Sequence, residues 1–224
     1  MRGETMLIVK ATTLSDAWEK SLQAVYEKGV DQGDQEIFRE DLLVLEIEDP
    51  CSEKRFHPLF PITTQALIAY NEHALKGTQD DLVRPEHRLY HERFFAYPDK
   101  ANNQIQALVD RLKKQPQSKR GLVSLWHPDR DQLAEKVPSV LSIWCRIEKG
   151  KLNMHAHLRA NDAYKKLLMN LNLHATLMKH IADQLGVDVG TYTHIVDSFH
   201  IYHPDTKDVE KVLATIKEGN GSNV

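Results

Sequence analysis

Three observations predict an α+β fold. Short apolar runs with strand character are interspersed with amphipathic stretches of helical spacing, and two of the runs lie close enough to form a hairpin. No internal repeat, low-complexity block or long linker divides the 224 residues. At about 150 residues per domain the length fits one large domain or two small ones, and the missing divider selects a single domain over 1–224, with a polar tail from about residue 217.

In chain order, residues 6–10 (Met-Leu-Ile-Val-Lys) predict a strand. Thr13 to Glu27 predicts a helix, with Ser15 as N-cap, Glu19 nearby, and Ala17, Trp18, Leu22, Val25 and Tyr26 at helical spacing. Asp31 to Glu36 reads as a loop, and Leu42 to Ile47 as a strand ending at Asp49-Pro50. Pro58-Leu-Phe-Pro61 is a constrained turn before a helix from about Thr63 to Leu75, stopped at Gly77; a polar stretch follows from Thr78 to Arg88. Asn102 to Lys114 is an amphipathic helix with Ile105, Leu108, Val109 and Leu112 on one face, ended by Gln115-Pro116. Gly121 to Trp126 is a short strand and His127-Pro128-Asp129 a turn; Val140–Ile147 and Leu152–Leu158 form the hairpin across Glu148–Lys151. The longest helix is expected over Asn161–Leu185, ended by Gly186; a strand at Thr191–Tyr202 and a helix at Val209–Ile216 complete the chain.

Composition excludes several classes. With 41% hydrophobic and 27% charged residues the chain is of ordinary globular make-up, and a chain this long buries roughly 70% of its unfolded surface without a staple. A formal net charge of −3 gives no basic excess for nucleic acid. No apolar run reaches the roughly 18 residues a membrane span needs, and the apolar stretch near the N-terminus is too short for a signal peptide. Two cysteines, Cys51 and Cys145, make no disulfide framework. A cytoplasmic protein without nucleic-acid or membrane partners is expected. Twelve histidines, including His155, His157, His174 and His180, invite a metal reading, but no His-Glu-x-x-His or Cys-x-x-Cys spacing occurs, so none is expected.

Four stretches carry candidate chemistry. Lys119-Arg120 places two cations between a helix and a strand, where they either hold a phosphate or are solvated. Arg159-Ala160-Asn161-Asp162 precedes the long helix; Asn161 or Asp162 caps it, and Arg159 would reinforce an anion site there. Asn170, followed by Asn172, is a polar residue in an apolar helix and needs a buried partner, backbone or ligand. His200 and Tyr202 share one strand face, as a core pair or a ligand-binding pair.

Taken in order over about residues 86–204, these stretches resemble the thymidylate synthase family, in particular its short archaeal-type branch. Pro116-Gln-Ser118-Lys119-Arg120 and Ser124-Leu-Trp126-His127-Pro128 are similar to the family's Pro-x-Ser-Arg-Arg and Trp-Asn-Pro. Arg159-Ala160-Asn161-Asp162 resembles its Arg-Ser-x-Asp, with Asn170 at the offset of its nucleotide-reading Asn. Ser198-Phe199-His200-Ile201-Tyr202 resembles its Asp-x-His-Ile-Tyr, Tyr90-His91 its Tyr-Gly, and Leu14-Ser-Asp-Ala-Trp18-Glu19 the archaeal opening.

The resemblance implies a mixed sheet with packed helices, stacked back to back in a homodimer. It implies a pyrimidine nucleoside monophosphate as substrate and 5,10-methylenetetrahydrofolate or a related pterin as one-carbon donor, with no metal. Lys119 and Arg120 would reach the other subunit's phosphate, Arg159 and Asp162 would serve the nucleotide, Asn170 would read a uracil edge, and His200 and Tyr202 would hold the sugar hydroxyl. Trp126 and Asp162 would face the folate. The family's cysteine nucleophile aligns with Ser139, in Pro138-Ser139, and Cys145 lies six residues further along. Ala160 replaces a phosphate-site serine. Glu72 is the candidate for the family's catalytic Glu, although spacing back from Gly77 favours Tyr70; the Arg-Thr-Gly loop is missing, with Arg39 a loose substitute.

Three functions follow. The first is one-carbon transfer to C5 of a uridine nucleotide, with Ser139 in catalysis and Tyr90, Glu72 or His127 moving protons. The second is a diverged homologue lacking the nucleophile, with altered nucleotide chemistry or nucleotide binding only. The third is a dimeric α+β protein with no small-molecule site.

Overall fold

Side-chain alternation decides which face of the sheet is covered. Along β5 (Lys151–Asp162), Leu152, Met154, Ala156 and Leu158 are buried, whereas Lys151, His155 and Arg159 are exposed, as period-two geometry requires of a sheet packed on one side. β4 (Val140–Glu148) is joined to β5 by Lys149 and Gly150, both at positive φ (50° and 77°). That is the primed hairpin turn whose twist matches the strands. A computed structural model describes residues 6–31, 33–78, 85–97, 99 and 101–221, with the backbone alone at 85–89, 220 and 221.

The remaining strands are β1 (Met6–Ala11), β2 (Ile37–Ile47), β3 (Leu122–Ser124) and β6 (Asp188–Tyr202). The six make one mixed sheet in the order β1-β2-β6-β5-β4-β3. β1 runs parallel to β2 and β5 parallel to β6, and the other pairs are antiparallel. One face is covered by helices. α1 (Leu14–Lys28) inserts Leu14, Trp18, Leu22 and Val25, and α4 (Gln104–Lys114) inserts Ile105, Leu108, Val109 and Leu112. α6 (Leu167–Leu185) is central and buries residues around most of its circumference, as expected of a helix enclosed by its neighbours. α2 (Thr64–Lys76), α3 (Pro85–Phe95), the short α5 (Pro128–Asp131) and α7 (Thr206–Gly221) complete the shell. On the opposite face Ile8 is 66% exposed and half-buried Val44 and Ile195 are register partners.

The α+β mixed sheet matches the sequence expectation, and several element bounds are corrected. The long helix begins at Leu167, because Asn161 and Asp162 remain in β5, paired with Phe199 and His200 of β6. Asn170 therefore sits in the first turn of α6, beside that strand end. β2 starts at Ile37 because its polar first half pairs with β6. α1 is capped by Thr13, whose hydroxyl accepts from the Asp16 amide, while Glu19 bonds His57. Of the polar stretch 78–88, residues 79–84 lie outside the described residues and 85 onwards form α3. α7 runs from 206 to 221, taking in most of the expected polar tail.

Candidate functional site

The parallel ends of β5 and β6 and the first turn of α6 are held by a chain of main-chain bonds. The Ala163 amide donates to the His200 carbonyl (2.8 Å), and one Asp162 carboxylate oxygen accepts from the amides of Tyr164 (2.9 Å) and Lys165 (3.0 Å). Trp18 pins the same turn from beneath, its indole N–H reaching the Ala163 carbonyl at 3.1 Å. The sequence shows Trp18 at helical spacing in α1 but not this role, which depends on a contact 145 residues away.

Above this end lies a cleft of about 310 Å³. Of the residues singled out from sequence, it brings together Tyr90, Ser139, Arg159, Asp162, Asn170, His200 and Tyr202. Tyr70, Pro138, Ala160 and Asn161, also named from the sequence, line it too, and it adds Val137, Lys166 and Met169. Lys166 and Met169 carry no motif and are legible only as neighbours of Asn170 once α6 is known to start at 167.

Two segments meet around Ser139. The Arg159 amide donates to the Ser139 carbonyl (2.9 Å), and the Arg159 Nε donates to the Pro138 carbonyl (3.2 Å). From the other side the Ser139 amide donates to the hydroxyl of Tyr90 on α3 (3.3 Å). Burial pushes the Tyr90 and Tyr70 hydroxyls above their ordinary pKa, so both are proton donors at neutral pH rather than bases.

Asp162 is 9% exposed, and burial raises its carboxyl pKa against the lowering effect of its two amide donors. His200 is 5% exposed; its Nδ1 meets the Ser198 carbonyl at 3.1 Å, its Nε2 has no partner among the described residues, and its ring meets Tyr202 edge-on at 4.7 Å. Asn170 donates from Nδ2 to Asn161 Oδ1 at 2.7 Å, and Tyr70 lies 3.5 Å from its Oδ1. Among the described residues lining the cleft, Arg159 and Lys166 outnumber the single carboxylate, Asp162, which suits an anionic ligand.

Other sequence candidates lie elsewhere. Glu72 is exposed, pairs with Lys76 at 3.2 Å, and lines a separate cleft with Arg55 and Ile68, because it falls on a different face of α2 from Tyr70. Lys119 and Arg120 are exposed at the turn before β3 and do not line the cleft. Trp126 and His127 also stand outside it; the amide of His127 donates to Asp131, which forms a buried ion pair with Arg93. Arg39 is spent on the Gly29 carbonyl at 2.8 Å. Cys145 is 0% exposed, and burial pushes its thiol up to about 12, which leaves it without thiolate character at neutral pH. Among the described residues no group of three His, Cys, Asp or Glu side chains could hold a metal ion, and no helix is long and apolar enough to cross a membrane.

Comparison with known proteins gives this arrangement a context. The sequence profile of the thymidylate synthase family matches residues 19–220. A Methanosarcina barkeri protein named "Putative thymidylate synthase" is 28% identical over 222 residues, covering 95% of this chain and 97% of its own. A protein of the same name from Methanocaldococcus jannaschii is 29% identical over 208 residues, covering 88% and 91%. One from Methanopyrus kandleri is 25% identical over 215 residues, covering 91% and 96%. With a family match that spans nearly all of the sheet and its helices, the chain belongs to the thymidylate synthase family.

Proposed function

We propose that the cleft binds a uridine-type nucleoside monophosphate and that its chemistry is transfer of a folate-borne one-carbon unit to C5 of the base, as in the conversion of dUMP to dTMP. The observation that carries this reading is the convergence of Arg159, Asn170, His200 and Tyr202 on one opening beside a buried carboxylate, Asp162. Arg159 takes the phosphate, Asn170 reads the base edge, and His200 with Tyr202 holds a sugar hydroxyl. The unpartnered His200 Nε2 supports the last role, since a buried polar atom without a partner is costly.

Ser139 is the group this reading sets against C6 of the base, with Tyr90 as the adjacent proton donor. Folate supplies the one-carbon unit when bound. Of the two residues expected to face it, Asp162 lines the cleft and offers a carboxylate to ring N–H donors, and Trp126 does not line it. The fit is therefore to the polar end of such a molecule at Asp162, and no step is assigned to Trp126.

A homodimer stacked on the uncovered sheet face completes the site in this reading, with Lys119 and Arg120 adding charge to the partner's phosphate. Exposed Ile8 and half-buried Trp144 on that face support it, and the Trp144 indole holds the Lys119 carbonyl at 3.1 Å. A second reading, a homologue that binds the nucleotide but has changed or lost the reaction, is favoured by one specific observation. Among the described residues, the cleft lining has no thiol and no carboxylate besides Asp162, and a serine hydroxyl is a weak nucleophile without a base.

Calorimetric titration with dUMP, UMP, dCMP and CMP, repeated with methylenetetrahydrofolate, tests the site. A uridine monophosphate should bind, with the affinity weakened in Arg159→Ala and Asn170→Ala; no binding of any of the four refutes the reading. Ser139→Cys separates the two versions of the chemistry. A gain of dUMP methylation supports the aligned position, and full activity of Ser139→Ala removes Ser139 from the mechanism.

A further inference from the structure

We propose that Asn161 is a positioning residue that locks the Asn170 amide in one orientation and thereby makes the cleft selective between uracil and cytosine. The inference rests on the nucleotide reading above.

The lock begins at the main chain. The Asp162 carbonyl can only accept, and an Asn161 amide atom lies 2.9 Å from it; that atom is therefore Nδ2, and Oδ1 is the other terminus. Asn170 meets that Oδ1 at 2.7 Å and must present its own Nδ2 there. Its Oδ1 is thereby set on the Tyr70 side, where the hydroxyl stands at 3.5 Å, the outer limit of a hydrogen bond. The oxygen keeps most of its accepting capacity, and one Nδ2 hydrogen remains for a ligand.

An amide of fixed orientation can match only one pyrimidine edge. Uracil offers an N3–H donor beside the O4 acceptor, and cytosine offers the N3 acceptor beside the N4 amino donor. The two patterns are inverse, so a freely flipping amide accepts both and a locked one accepts a single base. Asn161 is 3% and Asn170 6% exposed, so a flip would break both bonds without water to replace them. The two residues come from different elements, β5 and α6, and the relay exists only because β5 continues through Asn161 to Asp162.

The test is titration of dUMP and dCMP into the wild type, Asn161→Leu, Asn161→Ala and Asn161→Asp, with thermal melting to confirm folding. The wild type should prefer one base by roughly ten- to a hundredfold, the discrimination of a good bidentate contact. In Asn161→Leu and Asn161→Ala the ratio should fall to within about threefold of unity. Asn161→Asp should keep the preference, since a carboxyl oxygen still accepts from Asn170 whether or not the group is protonated. A wild type that binds neither ligand removes the nucleotide reading itself. A wild type that binds both equally, or a ratio that survives in Asn161→Leu or Asn161→Ala, overturns the lock while the nucleotide site stands.

Discussion

His194 and His200 belong to the same strand, both are at least nine-tenths buried, and both carry an Nε2 without a partner among the described residues, yet of the two His200 borders the cleft. His194 lies in a closed cluster with Tyr192 and with His174 of α6, all 0% exposed. The Tyr192 hydroxyl stands 2.6 Å from the Nδ1 of each histidine, so it donates to one and accepts from the other. Burial pushes His174 down to about 3 and His194 well below its ordinary value. His200 has main-chain and serine partners instead, with Asp162 and Tyr202 beside the opening. Buried polar groups alone therefore do not mark a site. What separates the two ends of β6 is whether the polar atoms surround a space that a ligand can enter.

Acid should expose that contrast most strongly. The folded-state pKa values of His174 and His194 lie below the unfolded value of about 6.5, so the unfolded chain binds protons first and stability declines as pH drops from about 6.5 towards about 3. Denaturant unfolding should lose about 2 kcal/mol between pH 7 and pH 5 from His174 alone, and His194 adds to the fall in the same direction. His194→Gln, which cannot titrate, should make the fall shallower; an unchanged slope would show that the cluster is not what acid attacks.

Arg159→Ala is the complementary test at the open end. It should weaken dUMP binding by about 2 kcal/mol, the scale of a charge-assisted bond, and shift stability far less. Tyr192→Phe should do the reverse. Removing the shared hydroxyl should cost about 1–2 kcal/mol in urea unfolding and leave dUMP titration as in the wild type. Equal damage to both properties in either variant would mean the two regions are one unit.

The smallest effect is expected of Asp162→Asn, with its side-chain oxygen still accepting from the Tyr164 and Lys165 amides. Stability should stay within about 0.5 kcal/mol. Any loss of nucleotide affinity that the wild type shows as Asp162 changes protonation should disappear from its pH profile.

Much of this was legible in the sequence. The alternation through Leu152, Met154, Ala156 and Leu158 and the spacing of Ile105, Leu108, Val109 and Leu112 identified a strand and a helix, because each periodicity belongs to one backbone geometry. Gly186 ended the long helix as expected, at φ +67°. Asn170, His200 and Tyr202 stood out as polar residues open to a ligand as well as to a core partner, and Arg159 and Asp162 as a cation and a helix cap ahead of the long helix. Where local and long-range demands competed, the sequence pattern misled. Asn161 and Asp162 look like helix caps and are strand residues, because β6 supplies partners that no local signal reveals.

The sequence by itself determined the class of fold and the kinds of side chain at the site, since composition and periodicity are local properties of the chain. The tertiary structure decided which of those side chains meet. Glu72 and Tyr70 are two residues apart, and the rotation of α2 puts one in solvent and the other at the cleft. Asn161 and Asn170 are nine residues apart on two elements, and the packing of the start of α6 against the end of β5 brings their amides to 2.7 Å. Those meetings depend on packing across the whole sheet, where each position is fixed by neighbours remote in sequence.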